Sequence, residues 1–249
     1  MRKLLLFVYG VAAYAASLAT LLYLIGFSAG LLTPMSVDAG ADATWVEALV
    51  TDLLLLALFG AQHSVMARRS FKNWWTRVVP AAAERSTYLL ATCAALALMF
   101  RFWVPIDPPV VWRVEHRAGV ALLWGLFAFG WLLALVSTFL IDHLELFGLQ
   151  QVFARLKQRA APETRFKTPL LYRYVRHPLY TGLLLTFWSV PVMTVGRLLF
   201  ALGCTAYILI GIAFEERDLL RQFGERYRRY REQVGMLIPH ARSKRTAGQ

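Results

Sequence analysis

The stretch VALLWGLFAFGWLLALVSTFLI occupies Val120–Ile141, and no charged residue interrupts it. A helix of roughly 20 such residues is what the hydrocarbon core of a bilayer requires. Working outward, five further apolar segments read the same way, at Leu4–Leu24, Val46–Met66, Tyr88–Val104, Leu179–Val195 and Leu198–Phe214. The whole chain of 249 residues is 58% hydrophobic and 17% charged, with mean hydropathy +0.49. Soluble domains run nearer half apolar and a quarter charged. The expected fold is therefore all-α, a polytopic membrane helical bundle forming one domain over residues 1–249. The last two segments meet around Gly196 and Arg197 and predict a tight helical hairpin. Whether that hairpin spans or re-enters decides between five and six spans.

Loop charge orients the bundle. Four regions hold 23 of the 27 Lys and Arg residues: the N-terminus, the Arg68–Arg85 loop, the Asp142–Arg176 loop and the tail from Arg217. The others, Arg101, Arg113, Arg117 and Arg197, lie in or beside the intervening loops. Heavy and light loops alternate, so the positive-inside rule puts both termini in the cytoplasm of a bacterial inner membrane. The first segment follows Arg2 and Lys3 but continues almost unbroken to Leu32, too long for a signal-peptide core, so it reads as a retained span. The net charge of +12 has this topological origin and an attraction to anionic membrane lipid, which argues against nucleic-acid binding. Cys93 and Cys204 fall inside apolar segments, and neither a metal site nor a disulfide framework can be drawn from them.

The chemistry-bearing stretch is Leu171–Gly182, LYRYVRHPLYTG. Pro178 suits the first turn of a helix, where its missing N–H costs nothing. The positive end of that helix can hold an anion, with Arg176 adding a full charge. Gly182, one turn on, leaves room for a ligand or a neighbouring helix. A second element, Phe214-Glu215-Glu216-Arg217-Asp218-Leu219, sits where the sixth segment leaves the membrane. Beyond it, Leu219, Phe223, Tyr227, Tyr230 and Val234 recur at helical spacing, which predicts one amphipathic helix along the cytoplasmic interface. Each element alone has an ordinary reading as a cap or a solvated salt-bridged helix. Together they bracket one hairpin from the same side.

The order Arg-His-Pro-x-Tyr-x-Gly, a hairpin, Glu-Glu, then Gly-x-x-Tyr-x-x-Tyr and a terminal Pro resembles the cofactor-binding core of the isoprenylcysteine carboxyl methyltransferase superfamily. The resemblance covers roughly Tyr172–Pro239 and implies an S-adenosylmethionine-binding core over residues 168–240. By that resemblance His177 and Pro178 line the cofactor cleft, Arg176 and Tyr180 contact it or shape its walls, and Gly182 permits close approach. Glu215 or Glu216 accepts hydrogen bonds from ribose hydroxyls or the methionine ammonium. Tyr172 and Leu219 belong to the same core, and Tyr227 and Tyr230 close the pocket.

Residues 1–150 are expected to choose the substrate. Their polar islands are Gln62-His63-Ser64, Phe71 to Arg77, Glu84 to Tyr88, Ser137 to His143, and Leu146 to Val152. This set resembles the bacterial methanethiol S-methyltransferases, which implies methyl transfer to a small thiol and dimethyl sulfide as product. A simple thiol has a pKa at or above about 8.5, so a base would help. His63, Asp142 and His143 are the candidates for that base or its orienter. Adjacent Asp142 and His143 would not point the same way on a helix, which argues against a dyad. Trp74 and Trp75 read as interfacial anchors, and Arg68, Arg77 and Arg85 as lipid-facing or topological charges. Other readings are a prenylcysteine or lipid-substrate methyltransferase, an NADPH-dependent sterol reductase sharing the C-terminal core, and an NnrU-like accessory protein.

Overall fold

The computed structural model describes residues 1–159 and 166–240; Arg165 and the basic residues after His240, counted above, lie outside these. Four helices are long and apolar enough to cross a membrane: α1 (Arg2–Ala29), α2 (Trp45–Ala67), α5 (Arg117–Ile141) and α9 (Val195–Phe223). They make the chain an integral membrane protein. Between them lie α3 (Arg69–Trp75), α4 (Glu84–Phe102), α6 (His143–Leu146), α7 (Leu149–Leu156), α8 (Pro178–Trp188) and the final α10 (Glu225–Gln233). A strand pair, β1 (Val110–Arg113) and β2 (Val192–Thr194), runs antiparallel with Val110 opposite Thr194.

Local signals set the helix ends. Thr44 and Glu47 form a reciprocal capping box at the start of α2, satisfying two otherwise orphaned donors. The Thr194 hydroxyl accepts from Arg197 N at the start of α9, and Asp142 Oδ1 accepts from Glu145 N at the start of α6. The outer faces carry Leu5, Leu54, Leu122 and Phe139, all exposed, as a lipid-facing surface requires. Inside, Phe27 meets Phe100 at 5.0 Å in a tilted contact and Phe187 meets Phe200 at 5.2 Å, with Trp103 wedged among them.

The apolar segment Leu179–Val195 differs from expectation. Only 11 residues, Pro178–Trp188, are helical, too short to cross alone. The chain then extends into β2, because β1 and its flanks offer partners: Val114 N donates to Pro191 O, and the Trp112 indole N–H to Val190 O. Paired in this way, non-helical backbone is tolerated inside an apolar bundle. The turn is therefore at Ser189–Thr194, and Gly196 and Arg197 fall in the first turn of α9 instead of in a loop. Arg197 is buried there, with Nε 2.5 Å from Asp38 Oδ2 and Nη1 donating to Ser28 O. This ionic staple closes one end of the bundle.

α8 packs along α5 at a glycine contact. A Cβ on Gly182 would strike Gly130 O and Ala134 N, and one on Gly130 would strike Gly182 O. Gly182 thus makes room for a neighbouring helix. The expected single amphipathic helix through Leu219 and Tyr230 is broken instead at Gly224, with φ 53 and ψ −126, a conformation open essentially to glycine. Leu219 and Phe223 end α9, while Tyr227 and Tyr230 belong to α10.

Candidate active site

At the end opposite the Asp38–Arg197 staple, three pieces of the C-terminal core meet. A short turn at Leu170–Arg173 leads to His177, which caps α8 with Pro178 as its first helical residue. The segment after α10 crosses this helix start as a strap: Arg176 N donates to Gly235 O, His177 N to Met236 O, and the Thr181 hydroxyl to Leu237 O. Beneath the strap, Arg176 Nε lies 2.7 Å from Glu216 Oε1, and its Nη1 donates to Val234 O and Arg231 O. His177 Nε2 is 3.2 Å from Glu216 Oε1, and Arg231 Nε is 3.4 Å from Oε2. Both oxygens of Glu216 are thereby engaged inside the fold.

Its neighbour is disposed differently. The Glu215 side chain is 43% exposed against 10% for Glu216, because successive helix positions diverge by about 100°. Glu215 accepts a hydrogen bond from the Tyr180 hydroxyl at 3.1 Å and stands 3.9 Å from His177 Nδ1.

Glu215 opens into a cavity of about 960 Å³, large enough for a drug-sized cofactor. Tyr172, Arg176, His177, Leu219, Tyr227 and Tyr230 line its C-terminal side, together with Phe166 and Phe223. Phe166 sits 5.3–5.9 Å from Phe223, Tyr230 and Tyr227, an aromatic surface able to stack a flat ring. Burial pushes the phenols of Tyr172 and Tyr227 up, and that of Tyr230 to about 12. All three are therefore neutral donors at ordinary pH. Tyr230 donates to Tyr172 O at 2.5 Å.

The facing wall comes from upstream: Lys72 of α3, Glu84 and Arg85 of α4, Asp142 and Glu145 at the α5–α6 junction, and Gln150 and Gln151 of α7. Arg85, expected at lipid, instead turns inward and donates from Nε to Leu146 O at 2.7 Å; position at a helix end left both directions open. Three polar atoms on the two walls, Tyr227 Oη, Gln150 Oε1 and Gln151 Oε1, are buried without a partner among the described residues. Such groups are costly unless something polar meets them.

The structure brings together Tyr172, Arg176, His177, Glu215, Leu219, Tyr227, Tyr230 and Asp142 on this cavity. Pro178, Tyr180 and Glu216 stand behind its wall, and Gly182 faces α5. His143 is held elsewhere. Its Nδ1 pairs with Thr138 Oγ1, its Nε2 with Tyr14, and its ring lies parallel to Phe139 at 4.1 Å; burial lowers its pKa. It reads as a satisfied core histidine, and Asp142 is a helix cap on the cavity rim.

His63 lies deeper, in an aromatic nest of Phe59, Tyr88 and Tyr207. The Thr92 hydroxyl donates to Tyr88 O, so it accepts from His63 Nδ1–H. This leaves Nε2 as the acceptor of the Tyr88 hydroxyl, 2.5 Å away. Arg85, whose guanidinium carbon is 4.9 Å from the Tyr88 ring, connects this nest to the cavity. Of the paired glutamines on the upstream wall, Gln151 is held by its Nε2, which donates to Glu145 O at 3.2 Å.

The described residues thus show a polar cavity built jointly by both parts of the chain. A family model described as "Protein of unknown function (DUF1295)" matches residues 115–234. Methanethiol S-methyltransferase 1 of Bradyrhizobium diazoefficiens is 52% identical over 97% of this chain and 84% of its own length. Methanethiol S-methyltransferase of Pseudomonas deceptionensis is 54% identical over 84% of this chain and 79% of its own. That of Mycobacterium tuberculosis is 47% identical over 96% and 98%. No solved structure gives a significant match. With matches of this identity over nearly its whole length, the chain belongs to the methanethiol S-methyltransferase family.

Proposed function

We propose that this protein transfers the methyl group of S-adenosylmethionine to methanethiol, giving dimethyl sulfide. The observation that carries the reading is the cavity beside Glu215, with its aromatic wall. The chain's kinship with methanethiol S-methyltransferases supports the choice of substrate. The residues present fit an S-adenosyl group: Phe166, Tyr227 and Tyr230 would stack the adenine, Gln150 and Gln151 would meet its polar edge, and Glu215 would accept from the methionine ammonium. Arg176, His177 and Glu216 would act behind these groups, holding the strap and the start of α8 in place.

Bound S-adenosylmethionine would supply a methyl carbon activated by its sulfonium, and in-line attack by a thiolate would break that carbon–sulfur bond and leave S-adenosylhomocysteine. The protein's part is alignment and proton removal. Tyr88 and His63 suit proton removal, since the phenol would take the thiol proton while passing its own to His63 Nε2, which the Thr92 bond keeps open for it. Loop charge supports a cavity facing the cytoplasm of a bacterial inner membrane, with both termini on that side and α10 near the lipid surface. In that frame α4 is the fifth crossing helix, and α8 with β2 makes a sixth, half-extended passage.

Calorimetric titration of the purified protein tests the cofactor: S-adenosylmethionine should bind and NADPH should not. The reverse would favour a reductase reading. His63→Ala should leave cofactor binding intact and lower turnover roughly 100-fold; unchanged turnover would remove His63 from the mechanism.

A further inference from the structure

The upstream cavity wall carries two cations that take no part in alignment of the methyl group or removal of the proton. Lys72 Nζ has Glu84 Oε1 as an ion-pair partner, but at 3.9 Å, the outer limit of such a contact. Burial pulls its pKa down, and the nearby Glu84 carboxylate pushes back. Arg85 uses Nε on Leu146 O, and no acceptor is found for its Nη atoms among the described residues. Both line the same cavity as Glu215. Of the three carboxylates on this wall, Asp142 caps α6, Glu84 stands close to Lys72, and Glu145 forms no ion pair with either cation among the described residues. On the opposite side, where Lys167 also lines the cavity, Arg176 is already committed to Glu216 and two carbonyls. Among the described residues the cavity thus has an open carboxylate at Glu215, and on the facing wall Arg85 keeps unfilled donors while Lys72 holds only a long ion pair.

An α-amino acid zwitterion presents that pair of charges. We infer that Lys72 and Arg85 bind the α-carboxylate of the methionine moiety, while Glu215 takes its ammonium. This rests on the reading that the cavity holds the S-adenosyl group, and it assigns ligand-binding residues to the part of the chain expected to serve only the acceptor. Ionised donors aimed at a carboxylate form the stronger class of hydrogen bond. The site would therefore separate S-adenosyl ligands from adenosyl thioethers that lack the amino-acid group.

The test compares S-adenosylhomocysteine with 5′-methylthioadenosine, which lacks the amino-acid end, by calorimetry on purified full-length protein. Wild type should bind S-adenosylhomocysteine more tightly. Lys72→Met should weaken S-adenosylhomocysteine roughly tenfold or more and leave 5′-methylthioadenosine unchanged, which also shows that the variant is folded. Lys72→Arg should restore most of the loss. Undiminished S-adenosylhomocysteine affinity in Lys72→Met, or equal weakening of both ligands, would overturn the assignment while leaving the cofactor reading standing. Failure of wild type to bind either ligand would overturn that reading and the assignment with it.

Discussion

The two ends of the bundle each bury an arginine against a carboxylate, yet they do different things. At the closed end, Arg197 meets Asp38, and its remaining donors reach Ser28 O and Ala29 O. Thr194 joins the same carboxylate through Oδ1, and the staple ties α9 to the turn after α1. At the cavity end, Arg176 and Glu216 form an equally engaged pair, but beside it stands Glu215, half exposed and facing open space. A buried ionic network therefore does not mark the functional site. What marks it is the cavity itself, with Glu215 open to it and an aromatic wall at Phe166, Tyr227 and Tyr230.

Substitutions can break this comparison. The largest effect should come from Glu216→Ala, which leaves Arg176 buried without its carboxylate and frees the strap. A loss of about 3–5 kcal/mol is expected, read as a lower Tm in detergent, together with weakened S-adenosylhomocysteine binding. Asp38→Ala should cost somewhat less, about 3 kcal/mol, because Arg197 keeps its two carbonyls. In the fraction that remains folded, ligand affinity should be unchanged; weakened affinity would mean that the two ends are coupled. Glu215→Gln should do the opposite, leaving stability within about 0.5 kcal/mol of wild type and lowering S-adenosylhomocysteine affinity roughly tenfold. A large Tm drop would make Glu215 a structural residue like its neighbour. The smallest effect is expected for Tyr227→Phe: its partnerless hydroxyl contributes little to folding, so stability should hold or rise while ligand affinity falls a few-fold.

Much of this was legible in the sequence. Val120–Ile141, Leu4–Leu24 and Val46–Met66 each lie within a helix, since an uninterrupted apolar stretch has few other folds in a membrane. Leu179–Val195 was less legible, because Val190–Thr194 is as apolar as a helix and becomes extended only through partners on β1, some eighty residues earlier. Spacing alone carried Leu219 to Tyr230 as one helix, whereas the backbone freedom of Gly224 splits it. The motif residues His177, Glu215 and Tyr227 were readable, but which of Glu215 and Glu216 faces the cavity depends on where Arg231 and the strap return. Lys72 and Arg85 were least legible. A cation at a helix end looks the same in sequence whether it meets lipid phosphate or turns into a cavity.

The most direct test of the account gives purified protein S-adenosylmethionine with a trideuterated methyl group, together with methanethiol, and analyses the headspace by mass spectrometry. The account predicts dimethyl sulfide carrying one trideuterated methyl, formed only with both reactants and suppressed in Glu215→Gln at low cofactor concentration. Retained S-adenosylmethionine binding with no labelled dimethyl sulfide would contradict it and turn the search for an acceptor toward prenylated cysteine or lipid.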